Sequence, residues 1–319
     1  ICTGLGLAAY ITAYDSVIDV LEETLPKAAI EASAIIENSI QNQLDKLNII
    51  ASMDFMKILE NSDADDAVLK TFMSDEISRS GHKLMILADK NGRVVYSNGT
   101  VTDIKGDPFF ESALSGSEAV SEPMQDQDGS GIVMVYAVPV KIGGETAGVL
   151  MAYRDGLELC EFAGRVRYGK SGQAYIINKQ GRTIAHANKD VILHILEAAA
   201  ANTGQSSASV ENAPDAVSSA TTGAQSADAV SSAATGTEAV DASSSATAKE
   251  GSNNTGVRIG ASESVATKAG FEGFYDIQKQ MVESKTGFGE YVYNGVPKVT
   301  GFAPVEKYGW SIGIAIDRA

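Results

Sequence analysis

Cysteine is nearly absent from this chain: 319 residues carry two, Cys2 and Cys160. Cys2 lies in an apolar leader and Cys160 in a stretch expected to form a connecting helix, so no disulfide is expected between them. Such scarcity is compatible with an oxidising exterior, where stray thiols are a liability. Histidine is nearly as rare, with only His82, His186 and His194. None has a second metal-type residue at ligand spacing, so no metal centre is expected. Basic residues are outnumbered, 25 against 41 acidic, for a net charge of −16. That balance argues against nucleic acid or an anionic lipid surface as a partner. An initiating methionine is also lacking, and the chain is expected to begin inside a longer protein.

Long apolar runs are few. Residues 1–14 (ICTGLGLAAYITAY) carry no charge, but a full membrane span needs about 20 apolar residues. They read either as the outer end of a truncated transmembrane helix or as a helix end rich in small residues, and the truncated span is preferred. No basic n-region is seen, which disfavours a signal peptide.

What is present is ample for folding. Hydrophobic residues make up 44% of the chain, which excludes wholesale disorder. The length allows two ordinary cores at roughly 100–200 residues per domain. Ile36, Ile40, Leu44, Leu47 and Ile50 recur at helical spacing among polar residues. From Lys27 to Glu60 this predicts a rod of about 50 Å, with Pro26 kinking or breaking the helix near its start. A second helix is expected around Ala64–Ser80, giving a helical stalk over 15–80.

The period then changes. Leu84–Ala88 and Arg93–Tyr96 flank Asn91-Gly92 as a β-hairpin. Pro108–Leu114 reads as a short helix, Ile132–Val140 and Thr146–Tyr153 as a strand pair, and Leu157–Val166 as a connecting helix. The same grammar returns. Ala174–Asn178 and Arg182–His186 repeat the first hairpin, with Gly181 matching Gly92 and Arg182 matching Arg93. Later Pro304, Val305, Gly309 and Gly313 match Pro139, Val140, Gly144 and Gly148 without a gap. Two segments repeating in the same order signal internal duplication. The units are therefore placed at 81–156 and 171–319, joined by a connecting segment over 157–170. The second is interrupted over 197–268 by Ala, Ser, Thr and Gly, with Asp215, Asp228 and Asp241 opening related repeats. This composition buries too little apolar surface to offset an ordering cost of ~1–2 kcal/mol per residue, and a disordered insertion is expected.

Several motifs formally suggest chemistry. Gly164-Arg165-Val166-Arg167-Tyr168-Gly169-Lys170-Ser171 fits the P-loop pattern, but a helix should precede it and a strand follow, the reverse of the phosphate-cradling context. Nothing orients or activates Cys160 as a nucleophile beside a histidine. Asp126 and Asp128 lack the later acidic ligand of a calcium loop. Tyr96, Phe109, Tyr136 and Tyr153 read singly as core, yet together could line a pocket on the first sheet.

The ordered stretches Gly169–Asn178, Ile184-Ala185-His186, Gly287–Tyr291 and Tyr308–Gly313, with Phe109–Gly116 and Val120–Pro123 before them, resemble the double Cache sensor domain of bacterial chemoreceptors. The resemblance implies an α+β fold, two PAS-like antiparallel sheets carried on a long N-terminal helix, one membrane-distal and one membrane-proximal. It implies extracellular sensing of a small molecule, no enzymatic activity, no cofactor, membrane attachment through flanking helices and a homodimer in the full receptor. The output module lies outside this sequence, so a histidine kinase or cyclic-dinucleotide enzyme sensor stays open beside a chemoreceptor. A tethered exoenzyme would need a clustered Ser/His/Asp or paired-carboxylate constellation, and none is found. An adhesin would suit the insertion as a glycosylated spacer.

The resemblance also implies a distal pocket in which amino-acid-binding members hold an arginine, an aromatic, a tyrosine and two aspartates. Here those positions carry Asp107, Phe109, Met124, Asp126 and Tyr153. One charge of the amino-acid clamp is reversed, so a cationic or neutral ligand is expected against Phe109 and Tyr153. An N-cap role for Asp107 ahead of Pro108 is the competing reading.

Overall fold

The structure, a computed structural model, describes residues 2–60, 67–99, 101, 103–126, 131–169, 171–195 and 271–318. The insertion expected over 197–268 lies outside them. Helix α1 (Cys2–Ala51) is followed by a 3-10 turn at Asp54–Leu59 and by α2 (Ala67–Ser80). Next come β1 (Leu84–Asp89), β2 (Val94–Ser97), α3 (Pro108–Leu114), β3 (Ala119–Val120), β4 (Met124–Gln125), β5 (Ile132–Ile142) and β6 (Glu145–Asp155). After α4 (Glu158–Arg165) the chain continues through β7 (Gln173–Ile177), β8 (Thr183–His186), β9 (Phe271–Glu272), α5 (Phe274–Val282), β10 (Gly287–Tyr293), β11 (Val296–Val305) and β12 (Trp310–Asp317).

The long helix differs from its expected limits at both places where they were drawn. It runs through Pro26 without ending. A mid-helix proline costs about 3 kcal/mol, but Leu25 and Ala29 on either side are fully buried, and their packing offsets the loss. The rod stops at Ala51 rather than Glu60, because Met53 adopts an extended backbone and the chain tightens into the 3-10 turn. Leu25, Ala29, Ala32, Ile36, Ile40, Leu44, Leu47 and Ile50 form one buried stripe, the three-and-four spacing of a single helix face. That stripe covers one face of both sheets in a continuous core.

The sheets share a topology. The first has the order β2-β1-β6-β5-β3, with β4 also on β5, and the second β8-β7-β12-β11-β10-β9. Their hairpins match atom for atom at the turn. Asp89 Oδ1 accepts from the backbone N–H of Asn91 and Arg93, and Asn178 Oδ1 accepts from Gln180 and Arg182. Gly92 and Gly181 both have positive φ, 86° and 73°, where a side chain would be strained. The ungapped match at the C-terminal end needs correction. Val138 pairs with Leu150 and Ala303 with Ile312, so Pro139 and Pro304 do correspond. Between matched pairs the second hairpin is shorter, however: seven residues separate Val140 from Gly148, but four, holding the short helix Glu306–Tyr308, separate Val305 from Trp310. The register therefore slips there, and Gly313 is not the counterpart of Gly148.

Each sheet buries its other face separately. Ile86, Ala88, Val133, Val135, Met151 and Tyr153 pack with Phe110 and Ala113 of α3. Tyr175, Ile177, Tyr291, Phe302 and Ala315 pack with Phe274, Ile277 and Met281 of α5. The fold is thus α+β: a helical spine with two antiparallel sheets, each capped by a short helix.

Candidate functional site

Pro108 opens α3 and supplies no N–H, so the helix start falls to Asp107. Its Oδ1 accepts from the backbone N–H of Phe109 at 2.8 Å and of Phe110 at 3.0 Å. Asp107 is thus the N-cap of α3, and it is buried. The cap turns Phe110 into the core and leaves Phe109 partly buried against the same cluster. Met124, on β4, and Tyr153, on β6, belong to that cluster too. Burial pushes the Tyr153 phenol well above the ordinary tyrosine value, and the charges of Asp107 and Asp126 push it further. Both carboxylates therefore bear on one phenol at the foot of α3. The arrangement can accept hydrogen bonds and attract positive charge. Among the described residues, no group of three or more His, Cys, Asp or Glu could hold a metal.

Of the seven residues singled out from sequence, five gather on this face: Asp107, Phe109, Met124, Asp126 and Tyr153. Tyr96 and Tyr136 do not. Both point the other way, into the core beneath α1. The cause is strand alternation: Tyr136 lies one residue from Val135 and Ala137, and side chains one apart face opposite sides of a sheet. Aromatic content alone could not separate the two faces. The two tyrosines are core residues.

A cleft of about 460 Å³ adjoins this face, between the first unit, α1 and the start of β12. Phe109 and Met124 line it with Leu44, Glu118, Tyr308 and Trp310. Polar contacts cross it. Glu118 accepts from Asn48 of α1 at 2.7 Å and lies 3.5 Å from the Lys307 ammonium. At its edge Glu122 accepts from Asn178, in the second unit's hairpin, at 2.9 Å. The Tyr308 hydroxyl is buried and finds no hydrogen-bond partner among the described residues. Burial raises its pKa, with Glu118 adding to the effect. Apart from Phe109 and Met124, none of these residues was singled out for a pocket from sequence. Glu122, Tyr308 and Trp310 did lie in the stretches that carry the family resemblance, and that was the signal available.

The other sequence candidates take structural places. Cys160 is buried in α4, and burial raises its thiol pKa, so it is a poor nucleophile. His82 is buried beside Arg154 and His186 ends β8. Gly164 lies in a helix, and strand β7 follows shortly after Ser171, which is the wrong context for a phosphate loop.

A family model, the Cache domain dCache_1, matches residues 12–319. Comparison with curated protein sequences finds no match. Among solved structures, the ligand-binding domain of the Pseudomonas fluorescens chemoreceptor CtaA in complex with L-serine superposes with a TM-score of 0.55 at 13% identity, covering 94% of this chain and 98% of that one. The ligand-binding domain of the Pseudomonas aeruginosa PAO1 amino acid chemoreceptor PctB, in complex with L-Arg, gives 0.55 at 15% identity over 94% and 96%. That of P. aeruginosa PAO1 PctC, in complex with GABA, gives 0.52 at 14% over 93% and 99%. At such identities the likeness is one of fold.

Proposed function

The chain belongs to the Cache-domain family, and on that premise we propose that it is the extracellular sensor of a bacterial chemoreceptor, binding a cationic or neutral small molecule beside α3. The observation that carries the ligand class is the placement of Asp107 and Asp126 around Tyr153. A carboxylate-bearing ligand would meet like charge there, whereas an amine would be held and a neutral polar molecule tolerated. The solved relatives bind amino acids, as serine in CtaA and arginine in PctB. Asp107 stands where the family resemblance places the arginine that grips an amino-acid carboxylate. The site is a binding module rather than an enzyme.

Signal transfer would use α1, which lies under both sheets and reaches the cleft through Leu44. A ligand biases two positions of such a helix only if it binds them with different affinity. The face of α1 away from the sheets carries Val17, Val20, Ile35 and Ile49, each more than half exposed. This supports a homodimer joined along the helix in a membrane-bound receptor. No helix of the described residues is long and apolar enough to cross a membrane.

A thermal-shift screen of amines, sugars, nucleosides, amino acids and dicarboxylates tests the ligand class. An amine or neutral polar compound should raise the melting temperature, and Asp126→Ala should weaken the hit. Trp310, the chain's one tryptophan, lines the cleft beside Phe109 and Met124, and its emission should respond. Tight binding of a dicarboxylate or an unmodified α-amino acid at this site would overturn the assignment.

A further inference from the structure

The two sheets can be superposed strand on strand through their pairing. In the first, Leu84 of β1 faces Tyr153 of β6. In the second, Gln173 of β7 faces Ala315 of β12. The duplicated hairpins make Leu84 and Gln173 counterparts, so Ala315 occupies the position that Tyr153 fills in the first unit. A methyl group stands where the first unit has a tyrosine, and none of the described residues refills the space. A cavity of about 270 Å³ opens there, lined by Ala315 and by residues on both sides of it.

The walls are unusually aromatic. Tyr175, Phe271, Phe274, Tyr291 and Tyr293 all line the cavity. Phe271 lies 4.5 Å from Tyr293 and 5.4 Å from Phe274, centroid to centroid, and Phe274 meets Tyr291 edge-on at 4.9 Å. These rings already support one another, and a further flat ring entering among them would add contacts of the same kind, about 0.5–1.5 kcal/mol per pair beyond area burial. Tyr293 remains 37% exposed and marks the rim.

The polar groups are few and uncharged in sum. Lys298 is paired with Asp317, Nζ to Oδ1, at 2.5 Å. His186 lines the cavity, and its Nδ1 accepts the backbone N–H of Asn188 at 2.9 Å. That bond places the ring proton on Nε2, leaving one donor. Burial lowers its pKa from the usual 6.5, Lys298 adding to the effect and the Asn188 contact opposing it, so the ring is neutral at pH 7. Gln173, Thr183 and Asn188 supply further donors and acceptors. Small-molecule pockets are mostly apolar with a few placed polar groups and usually reach about 300–1,000 Å³. A cavity at or below that range fits one ring or two fused rings.

We propose that this cavity, on the face of the second sheet turned away from α1, is a second binding site, selective for a small, planar, uncharged heteroaromatic ring. It is separate from the site beside α3 and does not depend on that site's ligand. Titration calorimetry of the full chain with adenine, nicotinamide and indole tests it, with tetramethylammonium and benzoate as charged controls. At least one uncharged ring should bind. Tyr293→Ser, at the exposed rim, and Ala315→Leu, which fills the cavity, should each lower its affinity at least tenfold, whereas Asp126→Ala should not. Tyr293→Ser keeps the test valid if the filled variant fails to fold. Absence of binding by all three rings, equal or tighter binding of a charged control, or binding lost in Asp126→Ala and retained in Tyr293→Ser would overturn the proposal.

Discussion

The most exposed test of the fold is a single methyl group at Gly301. This glycine lies on β11 where α1 passes over it. An added Cβ would stand 2.6 Å from the nitrogen of Pro26 and closer still to the carbonyl carbon and Cβ of Leu25. Favourable carbon contacts need ≈ 3.5–4.0 Å, so the helix would have to retreat by about 1 Å. The obstacle is main chain, which cannot rotate away as a side chain would. Overpacking of this kind costs typically 1–3 kcal/mol, and Leu25 and Ala29, both 0% exposed, would lose contacts as the helix lifts. Against that, alanine reduces the freedom of the unfolded chain by ≈ 0.4–1 kcal/mol. Gly301→Ala should therefore destabilise by about 1–2 kcal/mol net. Gly164→Ala provides the opposite sign from the same chemical change. Gly164 sits in α4, and its Cβ would meet only the carbonyl oxygen of Ala187, at 3.5 Å. There the helix should gain about 0.5–1 kcal/mol. Urea unfolding followed by circular dichroism reads both, with the midpoint moving and the slope unchanged. A Gly301→Ala protein as stable as its parent would refute the close approach of β11 to the helix at Pro26.

Three further outcomes follow from named residues. Asp107→Ala should cost about 0.5–2 kcal/mol by uncapping α3, whereas Asp107→Asn keeps the cap; if Asp107 also attracts the ligand, only the amide variant will separate full stability from weakened amine binding. Burial and the neighbouring Arg154 lower the His82 pKa from 6.5 to about 4, so stability is intact above about pH 6.5 and falls as the pH drops toward about 4, where the folded form also takes the proton. At 1.36 kcal/mol per unit the ceiling is about 3 kcal/mol, reduced to about 2 by partial solvent access; His82→Asn should flatten that part of the pH profile, and parallel profiles for variant and parent would count against it. For the proposed membrane-bound dimer, cysteines at Val17, Val20 and Ile35 should crosslink between chains faster than one at Glu23, with rates near Asp19 changing when ligand is added; equal rates at all positions would remove α1 as the proposed dimer seam.

The sequence by itself settled the features that depend on neighbours along the chain. The stripe from Ile36 to Ile50 specified the helix face because a helix returns to the same side every three or four residues. The hairpin at Asn178–Arg182 was legible because its turn must repeat the chemistry of Asp89–Arg93, a side-chain acceptor followed by a left-handed glycine. Asp107 before Pro108 already described a helix cap. Tertiary structure alone decided what depends on distant neighbours. Tyr136 and Tyr153 look alike in sequence, yet one faces the spine and the other the cluster beneath α3. The survival of the helix at Pro26 depends on β11 having no side chain at Gly301. The cleft forms only where Phe109, Glu118 and Trp310 are brought together by the packing of two units on one helix. The emptiness at Ala315 is visible only once β12 is laid over β6, because a shorter connection in the second hairpin shifts the register that an ungapped alignment assumes. Local periodicity encodes elements, whereas sites are built from residues whose only relation is the space between them.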